Sequence, residues 1–277
     1  MALTDWQRGF ARLITAGASQ GLGSEVRAQA LADLCLTTGE RDWLERCITT
    51  AGFEVTCSIQ RRWRRLRLRI ATKITMAALG RERSDGLIER FCSHQPLRSM
   101  FFVTEALEFL QFISDMVDGD QCVRTAADFE RALLVAADAR ATVSWRATND
   151  YADDCVLTRH SATAVVMFPC PPEAFVGAVI LGCECPTTFE RVPVVISPGL
   201  PYLWRPATEE EVSVLRHANN RTTGRELRLI SEVAVCELLA MGALVIAPNS
   251  NVFGPDTFPL ESGSSCVGQD VSCREKY

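Results

Sequence analysis

The stretch TAVVMFPCPP, residues 163–172, decides the fold class. From Thr4 to Met116 apolar residues return every three or four positions, which is the period of a helix face. Here Val165, Val166, Met167 and Phe168 stand consecutively, rich in β-branched and aromatic character, and stop at a proline cluster. That is strand text with a hard end. VPVVISPGLP, residues 192–201, repeats the pattern, and Tyr202, Leu203 and Trp204 add a third short apolar run. Three such runs predict a small sheet set between two helical stretches.

Toward the N-terminus, Asp5 is expected to cap a first helix with Trp6, Phe10, Leu13 and Ile14 on its apolar face. GASQGLG, residues 17–23, breaks it. Ser24 caps a second helix over 24–34, and Thr38 opens a third that carries Trp43, Leu44, Cys47 and Ile48. After Gly52 comes a long helix bearing Arg61, Arg62, Arg64, Arg65, Arg67, Arg69 and Lys73. Its apolar positions Ile59, Trp63, Leu66, Ile70, Ile74 and Ala77 or Ala78 follow the 3–4 spacing of one helix face. Helices over 84–92 and 95–116 follow, the second apolar nearly all round and predicted to be central.

Beyond it, 126–139 reads as helix, 142–146 and 155–159 lean to strand, and 173–181 is a short helix or an extended apolar run. Thr208 caps an acidic first turn of Glu209, Glu210 and Glu211, favourable at the positive end of a helix. A helix over 223–241, a stop at Gly242 and a strand over 243–247 complete the order helix, helix, strand, which begins a winged-helix-like layout. The expectation is an α+β protein: a helical domain over 1–118, a small mixed α/β domain over 119–247, and a mobile tail over 248–277.

At 277 residues, 47% hydrophobic and 23% charged, the chain can build a packed core. Its net charge of −5 gives no general attraction to nucleic acid or anionic membrane. The start MALTDWQRGFARL lacks the pattern of a secretory signal, and no segment reaches the roughly 20 apolar residues of a membrane span. A cytoplasmic location is expected. In that compartment the twelve cysteines read mostly as small core fillers, since no CxxC occurs and Cys183 with Cys185 supplies only two ligands. Cys266 and Cys273 fall in the expected tail.

Catalytic motifs are missing: there is no P-loop, GxSxG or HExxH. GASQGLG resembles a dinucleotide-binding turn only superficially, because it follows a helix rather than a strand. The arginine-rich helix admits three readings: phosphate binding, a partner interface against acidic surface, or a solvated face whose stems cover apolar residues. His160 lies near Cys155, but five residues apart on a strand their side chains point to opposite faces.

WQRGFARLI, GFEVTCSIQRRWRRLRLRI, the run from Leu157 through RHSATAVVMFPCPPEAF to VVISPGLPYLWRPATEEE, and LLAMGALVIA together carry a resemblance. In this loose pattern the chain resembles the partner proteins of DUF692-type multinuclear non-haem iron oxidative enzymes in ribosomal peptide modification, most of all those of 3-thiaglutamate-type pathways. The resemblance implies a non-catalytic accessory subunit without a cofactor of its own. Such a subunit would form a heterodimer with the iron enzyme, bind a precursor or carrier peptide through leader recognition, and present its C-terminal cysteine. Iron would belong to the enzyme. Peptide capture by strand addition would then use Leu244, Val245 and Ile246 as the exposed edge. The enzyme would be met by Arg61, Arg62, Arg64 and Arg65.

Two other classes compete. A winged-helix-like transcription regulator would read DNA with Arg221, Arg225 and Arg228, although Glu226, Glu232 and Glu237 on the same segment weaken it. A thiol enzyme would use Cys155 or Cys57.

Overall fold

The computed structural model describes residues 3–19, 21–95, 102–142, 153–184, 191–219 and 221–247. Helix α1 (Leu3–Ser19) already includes Asp5 in its first turn, so Asp5 pairs with Arg8 instead of capping. Helix α2 (Ser24–Leu31) has Gly23, not Ser24, at its N-cap and ends before Leu34. Helix α3 (Thr38–Ile48) is fixed by a capping box in which Thr37 and Glu40 satisfy each other's main-chain N–H. These helices close around Leu13, Leu31, Leu34 and Leu44, joined by Phe53 and Cys57 from α4 (Ala51–Ala71). A Cβ on Gly17 would stand 2.7 Å from Cys57 Sγ, so glycine there lets α1 and α4 approach.

The long helix expected after Gly52 is two helices. The chain leaves helical geometry at Thr72 (φ −123°, ψ 39°) and restarts as α5 (Lys73–Leu79). Glu130 supports that restart: its two carboxylate oxygens accept from the N–H groups of Ile74 (2.7 Å) and Thr75 (2.9 Å). Burial raises the Glu130 carboxyl above its ordinary range, against the opposing hydrogen bonds. Helix α6 (Arg81–His94) and α7 (Phe102–Met116) pack through Phe91, Phe109 and Phe112. The part of the expected central helix over 96–101 lies outside the described residues.

Helix α8 (Gln121–Thr142) touches α7 and α5 and also lies against the sheet. One core therefore joins Ile74 to Phe129, Phe168 and Phe175 and crosses the expected boundary at residue 118. Strand β1 (Leu157–Arg159) precedes β2 (Ala164–Phe168), then α9 (Pro172–Leu181), β3 (Val192–Ile196) and β4 (Trp204–Pro206). The sheet order β2-β3-β4 is antiparallel throughout, with Val166 opposite Val194 and Val195 opposite Arg205. Pro193 is tolerated in the central strand because its missing donor faces Ala207, whose N–H donates to the Pro193 carbonyl at the end of the ladder.

The chain continues as α10 (Glu209–His217), α11 (Gly224–Arg228), α12 (Glu232–Ala240) and β5 (Leu244–Ile246), which returns to pair antiparallel with β1. Thr208 and Glu211 form a second capping box. The helix expected over 223–241 is split because Ser231 caps a new one, its side chain accepting from Ala234 N–H. Gly242 ends α12 in the left-handed region at φ 67°, where glycine is favoured. The protein is mixed α+β, mostly helical, with small antiparallel sheets. Among the described residues no helix is long and apolar enough to cross a membrane. The expected strand over 142–146 and the tail over 248–277 fall on undescribed residues, save Thr142, which ends α8.

Candidate functional site

Helix α4 carries apolar residues on two faces, and the one with the regular 3–4 spacing is exposed along α4, whereas Ile74 of the same series is buried in α5. Phe53, Cys57, Arg64 and Leu68 point inward. Val55, Ile59, Trp63, Leu66 and Ile70 point outward, from 42% exposed at Leu66 to 61% at Ile70. The steps of 4, 4, 3 and 4 residues keep these five side chains within a stripe roughly 80° wide and about 22 Å long at ~100° and ~1.5 Å per residue. A narrow stripe on that spacing is the seam that a second helix packs against. These side chains form one continuous exposed apolar row, unlike scattered single ones, which need no explanation.

The inward face is built around an arginine. Arg64, only 4% exposed, sits where an apolar residue is expected. Its guanidinium pairs with buried Glu105 of α7 and donates to the Cys92 carbonyl (3.1 Å), the Gln95 carbonyl (2.6 Å) and Ser19 Oγ (3.4 Å). It also lies 5.4 Å from the Phe91 ring centre. Arg64 is therefore a structural knot tying α1, α4, α6 and α7, and cannot be the partner contact expected of it. Arg61 is likewise engaged, donating to the carbonyls of Gly17 (3.0 Å) and Ala18 (2.8 Å) at the end of α1. Arg65 and Arg69 pair with Glu89 and Asp85 of α6. Arg62 is exposed on the rim of the stripe, without a partner among the described residues. A shallow hollow lined by Ser58, Arg61, Arg62, Arg65, Leu66 and Arg69 runs beside it.

A second concave surface lies between α8 and β2. Gln121, Thr125, Asp128 and Arg131 form its helix wall, and residues 161–167 form the other. Asp128 is accessible to solvent yet hemmed in by these walls. Desolvation holds its carboxyl above the ordinary range, opposed by Arg131 and Arg124. Arg131 donates to Gln111 Oε1 (3.0 Å). Thr163, within that second wall, is buried, and its hydroxyl oxygen has no hydrogen-bond partner among the described residues. Sequence reasoning missed this groove, since it arises only when α8 is laid beside the sheet.

Of the expected peptide-edge residues, Leu244 is buried in the core with Leu157 and Val235, while Val245 and Ile246 are half-buried. Ala247 N–H donates to Val156 O, and His160 N–H to Ala243 O. Alternation then commits Val245, opposite Thr158, to the ladder with β1 and leaves Leu244 and Ile246 facing the other side. Proline at 245 would therefore break the existing pair, not remove an edge donor.

His160 accepts at Nδ1 from Ala162 N–H (3.0 Å), and burial lowers its pKa from the ordinary value. Cys57 is buried with its thiol pushed up by desolvation, the opposite of an activated thiolate. Of the cysteines described, 57, 92, 155 and 170 are buried, but 35, 183 and 236 are exposed, so core filling accounts for only part of them. Cys185, Cys266 and Cys273 lie outside the described residues. Among the described residues no three His, Cys, Asp or Glu side chains gather as a metal-holding group. No protein-family model matches the chain, and neither a curated protein nor a solved structure does.

Proposed function

We propose that this chain is a non-catalytic binding subunit that docks a partner protein on α4 and carries a ribosomally made peptide to it. The exposed stripe Val55–Ile59–Trp63–Leu66–Ile70 carries the reading. Its occupant is an amphipathic helix of the partner with an acidic residue opposite Arg62. A second copy of this chain fits poorly, because face-to-face stripes would bring arginine rims together. Following the sequence resemblance, the partner is a DUF692-type multinuclear iron enzyme, and the peptide is a precursor whose C-terminal cysteine that enzyme modifies. Iron and the oxidative chemistry belong to the enzyme in this reading.

The segment α10–α11–α12–β5, closed by β1, supports a winged-helix-like C-terminal part. It favours protein or peptide over DNA. The exposed side of α12 presents Glu232, Val233, Cys236 and Glu237, with no cation among them, and Arg228 pairs with Asp153 (2.6 Å). A recognition helix of that character repels phosphate. Co-expression with an iron enzyme of this type, followed by size exclusion, tests the proposal. A one-to-one complex that Trp63→Glu dissolves agrees with it. A chain that stays alone and shifts random duplex DNA at low salt refutes it.

A further inference from the structure

Helix α12 carries a second exposed apolar row, and its charge is opposite to that of α4. Ser231 starts the helix by accepting from Ala234 N–H, and Ala234, Val235, Leu238 and Leu239 bury its inner face. Val233, Cys236 and Ala240 are left on the outer face, with Val233 69% exposed. Steps of 3 and 4 residues keep these three within a stripe about 60° wide at ~100° per residue, with Glu232 on one flank and Glu237 on the other. Leu229, 84% exposed, and Ile230 lie in the turn that leads into the helix. Glu237 reaches Arg205 at 3.3 Å, whereas Glu232 has no partner among the described residues. The cations nearest in sequence belong to α11, where Arg228 is held by Asp153 and Arg225 is exposed.

We propose that the α4 row of one copy of this chain is covered by the α12 row of a second copy whenever no enzyme occupies it. A second copy cannot lay its own α4 there, but its α12 supplies what α4 lacks. α4 presents a bulky ridge of Ile59, Trp63 and Leu66 beside the unpaired Arg62. α12 presents the low side chains Cys236 and Ala240, on which that ridge can lie, beside the unpaired Glu232. Two α12 rows together would oppose glutamates, as two α4 rows would oppose arginines, so the contact joins unlike faces. Both rows are exposed within one chain, which leaves them free to meet between chains. From Val233 to Ala240 the row runs about 10 Å at ~1.5 Å per residue, so it covers about half of the α4 row. A contact of that size is weak and reversible, and a longer partner helix displaces it. The inference rests on the exposed α4 row assigned above, and not on the identity of the enzyme.

Sedimentation velocity of the full chain over a dilution series at low salt tests it. We expect the mass to rise with concentration and to fall when salt is added. Trp63→Glu and Val233→Glu, both outside the core, should each associate at least about tenfold more weakly. An equimolar mixture of the two should form dimers, because the first keeps its α12 row and the second keeps its α4 row. Arg62→Glu should weaken association, and the double variant Arg62→Glu with Glu232→Arg should recover it. Cys236→Arg should act as Val233→Glu does and serves if that variant does not fold. Val233→Glu should keep full affinity for the enzyme, which separates this contact from the docking reading. A chain that stays monomeric throughout overturns the self-contact and leaves α4 as the docking face for the enzyme. Self-association that survives Val233→Glu and Cys236→Arg, or a mixture that stays monomeric, overturns it equally.

Discussion

Glu130 offers the sharpest stability test, because one side chain on α8 holds the first turn of α5 across the expected domain boundary. Replacing it with alanine leaves the N–H groups of Ile74 and Thr75 buried without an acceptor. Each orphaned donor costs about 1–3 kcal/mol, or roughly 2–6 kcal/mol for the pair. Removing a desolvated carboxylate returns part of that, so a net loss of about 2–4 kcal/mol is expected, large against the ~5–15 kcal/mol of a typical domain. Urea unfolding at fixed pH, with the midpoint shifting at constant slope, reads this directly. A pH series adds an independent check. The folded pKa of Glu130 lies above its unfolded value, so its stabilising contribution is full below the ordinary value of 4.5 and declines as pH rises through the folded value. Glu130→Gln does not titrate. The gap between wild type and Glu130→Gln should therefore narrow from acid toward neutral pH. A loss under about 0.5 kcal/mol for Glu130→Ala would refute the capping argument.

Glu105→Ala strands the buried Arg64 guanidinium and should cost about 3–5 kcal/mol by the same titration, whereas Arg62→Ala should leave stability within about 0.5 kcal/mol. Gly199→Ala places a Cβ 2.2 Å from the Met241 carbonyl oxygen, so a destabilisation of at least about 1–3 kcal/mol is expected in thermal melts; a neutral result would mean that the loop after β3 does not approach α12 as described. Thr208→Ala removes one half of the α10 capping box and should cost about 1 kcal/mol, with Thr208→Ser recovering most of it.

Helical text to the N-terminal side and strand text at 164–168 and 192–196 were legible, because period and β-branching are local properties. The Thr208 cap was legible for the same reason. The orientation of α4 was not. Its sequence holds two stripes, and hydrophobicity alone favours Ile59, Trp63, Leu66 and Ile70 over a face that contains Arg64. Only the presence of Glu105, 41 residues away, with carbonyls at Cys92 and Gln95, makes that arginine an acceptable core residue. The break at Thr72 was hidden similarly, since its compensation is supplied by Glu130. The groove depends on which edge of the sheet α8 accompanies, a matter of strand order that no local pattern carries.

The most direct test of the central claim is the affinity of the partner enzyme for the wild-type chain against Trp63→Glu and Leu66→Glu, measured by titration calorimetry on proteins with matched thermal melts. The account predicts that both variants fold, since these side chains are outside the core, and that each loses at least tenfold in affinity, about 1.4 kcal/mol or more. Undiminished affinity in both would contradict the assignment of α4 as the docking face.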